Sequence, residues 1–73
     1  MNAEQIENLV KEWAESAGYS IAGTFNVKSH IMISIVGNKD CKKRYEDFLA
    51  SHNLEHTAIC MDAFGFGTYI KIG

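Results

Sequence analysis

The sequence contains no proline, so nothing in it imposes the locked φ and missing N–H with which proline interrupts regular structure. No glycine- or serine-rich stretch separates its apolar segments either, so there is no candidate linker. The 73 residues read as one domain, 1–73. Cysteine is scarce: Cys41 and Cys60 are the only two, too few and too far apart for the disulfide frameworks of small secreted domains. Both are expected to be reduced and to behave as small apolar residues. Long apolar runs are absent, with nothing near the roughly 18 consecutive residues of a membrane span. The opening MNAEQIENLVKEW carries acidic residues where a signal peptide needs a basic start and an apolar run. The expectation is a cytoplasmic protein with no membrane partner. A basic excess is lacking too: the formal charge is -2, whereas nucleic-acid binders usually carry cations to displace counterions from phosphates. Nucleic acid therefore ranks below protein as a partner.

What is present is an ordinary globular composition, 47% hydrophobic and 22% charged, which is enough to fold. Asn2, with Gln5 three residues on, has the pattern of a capping box and predicts a helix start. Ile6, Leu9, Val10, Trp13, Ala14 and Ala17 then recur at helical spacing, and Gly18 can take the left-handed conformation that ends a helix, with Tyr19 folding back over the last turn. Ile21, Gly23, Phe25 and Val27 alternate with Ala22, Thr24 and Asn26. A turn at Lys28-Ser29 leads into the more apolar run 30–36, a hairpin whose second strand is suited to the middle of a sheet.

The second half repeats this plan. Asn38 can cap a helix with apolar residues Cys41, Tyr45, Phe48, Leu49 and His52, and Asn53 ends it. A shift of 35 positions carries Ile6 onto Cys41, Val10 onto Tyr45, Trp13 onto Phe48, Ala14 onto Leu49, Gly18 onto Asn53 and Tyr19 onto Leu54. Strands follow at 57–62 and 66–72, joined by a turn around Ala63-Phe64-Gly65. Two such helix-strand-strand units, 1–37 and 38–73, can bury both helices on one face of one four-stranded antiparallel sheet. The fold class is α+β: a two-layer sandwich of αββαββ order, equivalent to a ferredoxin-like fold with its first strand moved to the end. The alternative is a symmetric homodimer in which the sheet continues across an edge.

Several patterns could carry chemistry. The segment 63–70, AFGFGTYI, alternates glycine and aromatic residues and partly resembles the aromatic strand motif of RNA-recognition domains, whose rings stack on bases. Phe64 stands where that motif has a cation and Thr68 where it has a stacking ring, and the helices come in another order. The glycines are read instead as a bulge or close backbone approach. Lys39, Lys42, Lys43 and Arg44 crowd the start of the second helix, where cations oppose the helix dipole at ~0.3–1 kcal/mol each. They mark either a site for an anion or acidic partner, or pairing with Glu4, Glu7, Glu12 and Glu15 of the neighbouring helix. His52, His56 and Cys60 have the spacing of metal ligands on a continuous helix, but Asn53 interrupts it, and a structural zinc would need further ligands from distant Cys41 or His30. No metal or other cofactor is expected.

Catalysis finds no phosphate-cradling loop, serine elbow or metalloprotease helix in the chain. A domain this small also has little room for a deep pocket. The protein is read as a non-enzyme. Strand alternation offers another surface: with Ile31, Ile33 and Ile35 facing the helices, His30, Met32, Ser34 and Val36 face away. With Phe66 and Ile70 inward, Gly67, Tyr69 and Lys71 face away. Met32, Ser34, Val36, Tyr69 and Lys71 are the candidate protein-binding residues, since an uncovered patch of this character marks contact surfaces.

The expected function is docking on a larger protein or nucleoprotein complex, to inhibit or regulate it. In size and charge the chain resembles the small inhibitory proteins that bacterial viruses and mobile elements direct against host nucleases and defence complexes. The alternatives are an RNA- or single-stranded-DNA-binding domain acting through residues 39–44 and 64–69, and a small-molecule-binding oligomer with its pocket between chains.

Overall fold

The computed structural model describes residues 1–37, 40–61 and 65–72, and for 58–61 the backbone alone. Its elements run α1 (Ala3–Ala17), β1 (Ser20–Val27), β2 (His30–Val36), α2 (Cys41–Ser51), β3 (His56–Met61) and β4 (Gly65–Lys71). The strands form one antiparallel sheet in the order β1-β2-β4-β3. The second strand of each helix-strand-strand unit is therefore central, an order compatible with the permuted ferredoxin-like arrangement.

α1 starts where the capping box puts it. The Gln5 N–H donates to Asn2 Oδ1 at 2.8 Å, and the Asn2 N–H donates to Gln5 Oε1 at 2.9 Å. Two of the helix's unpaired N–H groups are thereby satisfied. Both helices end alike. Gly18 at φ 83° and Asn53 at φ 57° take the left-handed conformation, and the N–H of the next residue reaches back to the last turn, Tyr19 to the Ala14 carbonyl at 2.7 Å and Leu54 to the Leu49 carbonyl at 3.0 Å. α2 begins after Asp40, whose side chain makes no cap hydrogen bond. Asn38, the expected cap, lies outside the described residues.

The core is built from equivalent positions of the two units. Ile6, Val10 and Ala14 of α1, and Cys41, Tyr45 and Leu49 of α2, lie on Ile31, Ile33, Ile35, Phe66 and Ile70 of the central strands. The central pairing joins Ile31 to Ile70, Ile33 to Thr68 and Ile35 to Phe66. Under the 35-residue shift Ile31 corresponds to Phe66, Ile33 to Thr68 and Ile35 to Ile70. The two units are therefore related by a local twofold axis through the Ile33–Thr68 pair. Trp13 and Phe48, also equivalent, meet across the helix layer with ring centroids 5.0 Å apart and planes at 16°. The helical stripe places both at equivalent buried positions, whereas both are only partly buried: they close the seam between the helices and leave the space above the sheet to Tyr45.

β1 departs from simple alternation. Its register against β2 slips between Ile21 and Gly23, which leaves Ala22 as the extra residue of a bulge. Ile21 and Thr24 therefore both face the helices, Thr24 Oγ1 donating to Glu7 at 2.9 Å, while Phe25 is turned out and 53% exposed. The even alternation of 21, 23, 25 and 27 is corrected accordingly. β3 carries a comparable slip between Ala58 and Cys60.

Candidate functional site

The basic start of α2 is largely tied up by its own chain. Lys42 Nζ lies 2.8 Å from Glu46 Oε1, and Lys43 Nζ lies 3.6 Å from Asp47 Oδ2. The Arg44 guanidinium donates to the Tyr19 hydroxyl at 3.3 Å and stands 5.5 Å from the centre of that ring. Lys39 lies outside the described residues. The expected pairing with Glu4, Glu7, Glu12 and Glu15 is corrected for Lys42 and Lys43, whose ion-pair partners are one turn along the same helix. Two of the four candidate cations thus lie beside carboxylates of their own helix, and Arg44 is held on the Tyr19 ring and hydroxyl.

The histidines do not converge. His56 Nε2 sits 3.3 Å from Glu46 Oε2, whereas the His52 ring packs on Phe48 with centroids 4.8 Å apart. The Lys42 ammonium bonded to Glu46, and then His56, hold that carboxyl below its usual value against an opposing contribution from burial. Among the described residues no group of three or more His, Cys, Asp or Glu side chains gathers around a common point.

The glycine-aromatic strand divides between the two faces of the sheet. Phe66 is buried beneath α2, its ring edge-on to Tyr45 at 5.8 Å. Thr68 is buried too, its hydroxyl 3.2 Å from the Tyr45 hydroxyl and 3.5 Å from the Ile33 carbonyl. Burial pushes the Tyr45 hydroxyl up to about 12, and the bond to Thr68 only partly opposes this. Phe66 is therefore a core residue and cannot stack on a base, and of the described part of the motif only Tyr69 presents a ring to the outer face. Phe64 lies outside the described residues.

That outer face has no helix over it. The sheet register gathers its side chains into rows running across the strands. Phe25, Met32, Tyr69 and Thr57 form one row; Gly23, Ser34 and Gly67 form the next. Val27, His30 and Lys71 form a third, at the end nearer the β1–β2 turn. Met32 and Ser34, named from the sequence, lie side by side, the Ser34 hydroxyl 3.5 Å from the Met32 sulfur. Tyr69 is edge-on to His30 at 6.2 Å, and Lys71 lies 3.8 Å from Glu55. Val36, 43% exposed, is at the far end. A shallow depression lined by Val27, Lys28, Ser29, His30, Thr57 and Tyr69 opens beside the turn.

The sequence reading missed Phe25, the most exposed ring of this face, because its orientation depends on the bulge at Ala22. It also missed that the described residues of the four strands include no aspartate or glutamate. Among the described residues the acids lie in the helices and in the turns at Asp40 and Glu55, whereas the strand expected at 57–62 had included Asp62, which lies outside the described residues.

Among the described residues no buried side-chain nitrogen or oxygen lacks a partner, and no helix is long and apolar enough to cross a membrane. Comparison of the chain with protein-family models, curated proteins and solved structures gives no match.

Proposed function

We propose that this chain is a non-enzymatic binding protein that docks the open face of its sheet on a larger protein or nucleoprotein complex and so inhibits or regulates it. One observation supports the reading: among the described residues no helix covers the outer face of the four-stranded sheet, and Phe25, Met32, Tyr69 and Val36 lie on it. Aromatic residues and methionine are enriched in interface cores and charged residues are depleted there. The described strand residues of this face include no acid and one lysine, Lys71, at its end. The helix layer, by contrast, carries most of the acidic residues and keeps that side of the molecule well hydrated.

The test compares capture of a partner by the wild-type chain with capture by folded Tyr69→Glu and Met32→Glu variants. Each places an unpaired charge in the contact, which costs several kcal/mol when buried. Lys43→Glu, on the opposite side, serves as the control. The reading expects capture to be lost with the two sheet-face variants and kept with the control. Full capture by a folded Tyr69→Glu chain removes the sheet face from consideration. The exposed Phe25 ring and the partly buried Tyr69 ring in one row favour a second reading, single-stranded nucleic acid stacked on the face, and submicromolar, salt-sensitive RNA binding would establish it instead.

A further inference from the structure

We infer that the depression beside the β1–β2 turn is a binding site for a small phosphate monoester carried on a planar ring, a ligand of the nucleoside monophosphate type. The inference stands apart from the docking reading and starts from the turn itself. Val27 pairs with His30 across a two-residue loop, Lys28-Ser29, and of those two residues only Lys28 has a positive φ, at 53°. A two-residue hairpin loop of that geometry has glycine at its first position as a rule, because a side chain there is strained. Lysine meets a conformational cost that glycine would avoid, and it is exposed, so packing offers nothing in return.

The turn is also fixed in place. The Ile72 N–H donates to the Ser29 carbonyl at 2.8 Å, tying the loop to the end of β4, and the Ser29 hydroxyl lies 3.1 Å from His30 Nδ1. Lys28 is thereby anchored at its base while its ammonium stays free. Lys42, Lys43 and Lys71 each have a carboxylate partner, and among the described residues Lys28 has none.

The depression that Lys28 borders encloses about 400 Å³ and is lined also by Val27, Ser29, His30, Thr57 and Tyr69. None of these residues is an acid. The volume lies at the lower end of the ~300–1,000 Å³ of small-ligand sites, which suits one nucleotide and nothing larger. The lining combines an ammonium, an imidazole and the hydroxyls of Ser29, Thr57 and Tyr69 with the apolar surface of Val27. A lysine ammonium binds phosphate as a point charge. The hydroxyls beside it can donate to the further oxygens of a tetrahedral group, which offers more of them than a carboxylate does. The Tyr69 ring, edge-on to His30 at 6.2 Å, adds apolar surface against which a planar ring can lie.

The experiment is a titration of the isotope-labelled full chain with adenosine monophosphate, followed by the NMR shifts of its backbone amides. The expected result is saturable shifts confined to residues 27–30, 57 and 69, with a Kd of roughly 0.1–1 mM, the strength of one charge-assisted contact and a partly covered ring. Inorganic phosphate and adenosine should each bind at least tenfold more weakly. Lys28→Gly should also bind at least tenfold more weakly while melting a few degrees higher, since the loop is relieved. Lys28→Met should lose binding equally with no such rise. Shifts that fail to saturate, or that centre on Lys42 and Lys43, overturn the inference, and so does a Lys28→Gly or Lys28→Met chain that binds as wild type does. A Lys28→Gly chain that melts no higher than wild type counts likewise, since the lysine would then need no explanation. Inorganic phosphate or adenosine binding as tightly as the nucleotide overturns it too, by removing the ring or the phosphate from the recognition. If a short single-stranded RNA binds and the mononucleotide does not, the inference fails and the stacked strand on the sheet face stands. None of these outcomes touches partner capture, which Met32→Glu scores separately.

Discussion

Trp13 and Phe48, 35 positions apart in the sequence, stack with centroids 5.0 Å apart and planes 16° from parallel, and Trp13 stacks in turn on Tyr45 at 5.4 Å. The seam between the helices is therefore an aromatic column, with its outer edge in solvent. Because both rings are partly exposed, Trp13→Ala and Phe48→Ala should each cost about 2–3 kcal/mol, below the ~3–5 kcal/mol of a fully buried ring. Since the rings touch, the double variant should fall short of the sum by ~0.5–1.5 kcal/mol. Urea denaturation of the four proteins checks both numbers, and strict additivity would mean that the stack contributes nothing of its own.

Tyr45 gives the fold an alkaline limit. Its folded value of about 12 stands above the ordinary 10.0, so between these values the unfolded chain has lost the proton and the folded chain still holds it. Stability is unaffected below pH 10 and falls as pH rises toward 12, by up to ~1.4 kcal/mol per pH unit from this group. The difference in melting temperature between wild type and Tyr45→Phe should shrink or reverse between pH 8 and pH 11.5. A difference that holds constant would show that Tyr45 ionises equally easily in both states.

Gly37 is where β2 leaves the sheet, and a Cβ placed there would run into the Tyr19 ring, Cε1 lying 2.7 Å from it. Gly37→Ala should therefore destabilise by about 2–3 kcal/mol through overpacking. Tyr19→Leu on the same chain should restore part of that loss by emptying the space. Melting curves of the single and double variants decide it, and a Gly37→Ala chain as stable as wild type would mean that the ring moves freely aside.

The left-handed residues at the two helix ends differ in chemistry at the same geometry. Gly18→Ala meets no atom within 4 Å, so its expected cost of about 1 kcal/mol is purely conformational. Asn53→Gly should gain a few tenths of a kcal/mol, because glycine tolerates this conformation better. Opposite shifts of the urea midpoint with an unchanged slope are the expected signature.

Nucleic acid should bind no more tightly than tens of micromolar near physiological salt, roughly the nonspecific range. Lys42→Glu and Lys43→Glu should change that little, since both cations already have carboxylate partners. Fluorescence anisotropy with short RNA and DNA at two salt concentrations measures it.

Much of this fold can be read from the residues. The Asn2–Gln5 box, the helical spacing, the 35-residue correspondence and the alternation of Ile31, Ile33 and Ile35 are local signals, and local structure obeys them. What escaped depends on contacts between segments. Ala22 makes no demand that announces a bulge, so Phe25 could not be assigned a face. Trp13 and Phe48 fit the helical stripe equally well as core or as seam. The pairing of Lys42 with Glu46 and Lys43 with Asp47 was legible as four-residue spacing, but the wrong helix was favoured. The outer sheet face was half visible: the outward residues of β2 and β4 follow from alternation, whereas the outward turn of Phe25 does not.

The hydroxyl pair of Tyr45 and Thr68 stands beside the local twofold axis, where the first unit offers Val10 and Ile33 in their places. This pair acts as a key that distinguishes the halves. Two first units assembled together would set Val10 and Ile33 against their own copies and leave a void where the Tyr45 ring now stands. Two second units would bring two tyrosines into the space of one. Each half is shaped to recognise the other and to refuse itself, so a core of this plan closes only around one copy of each unit.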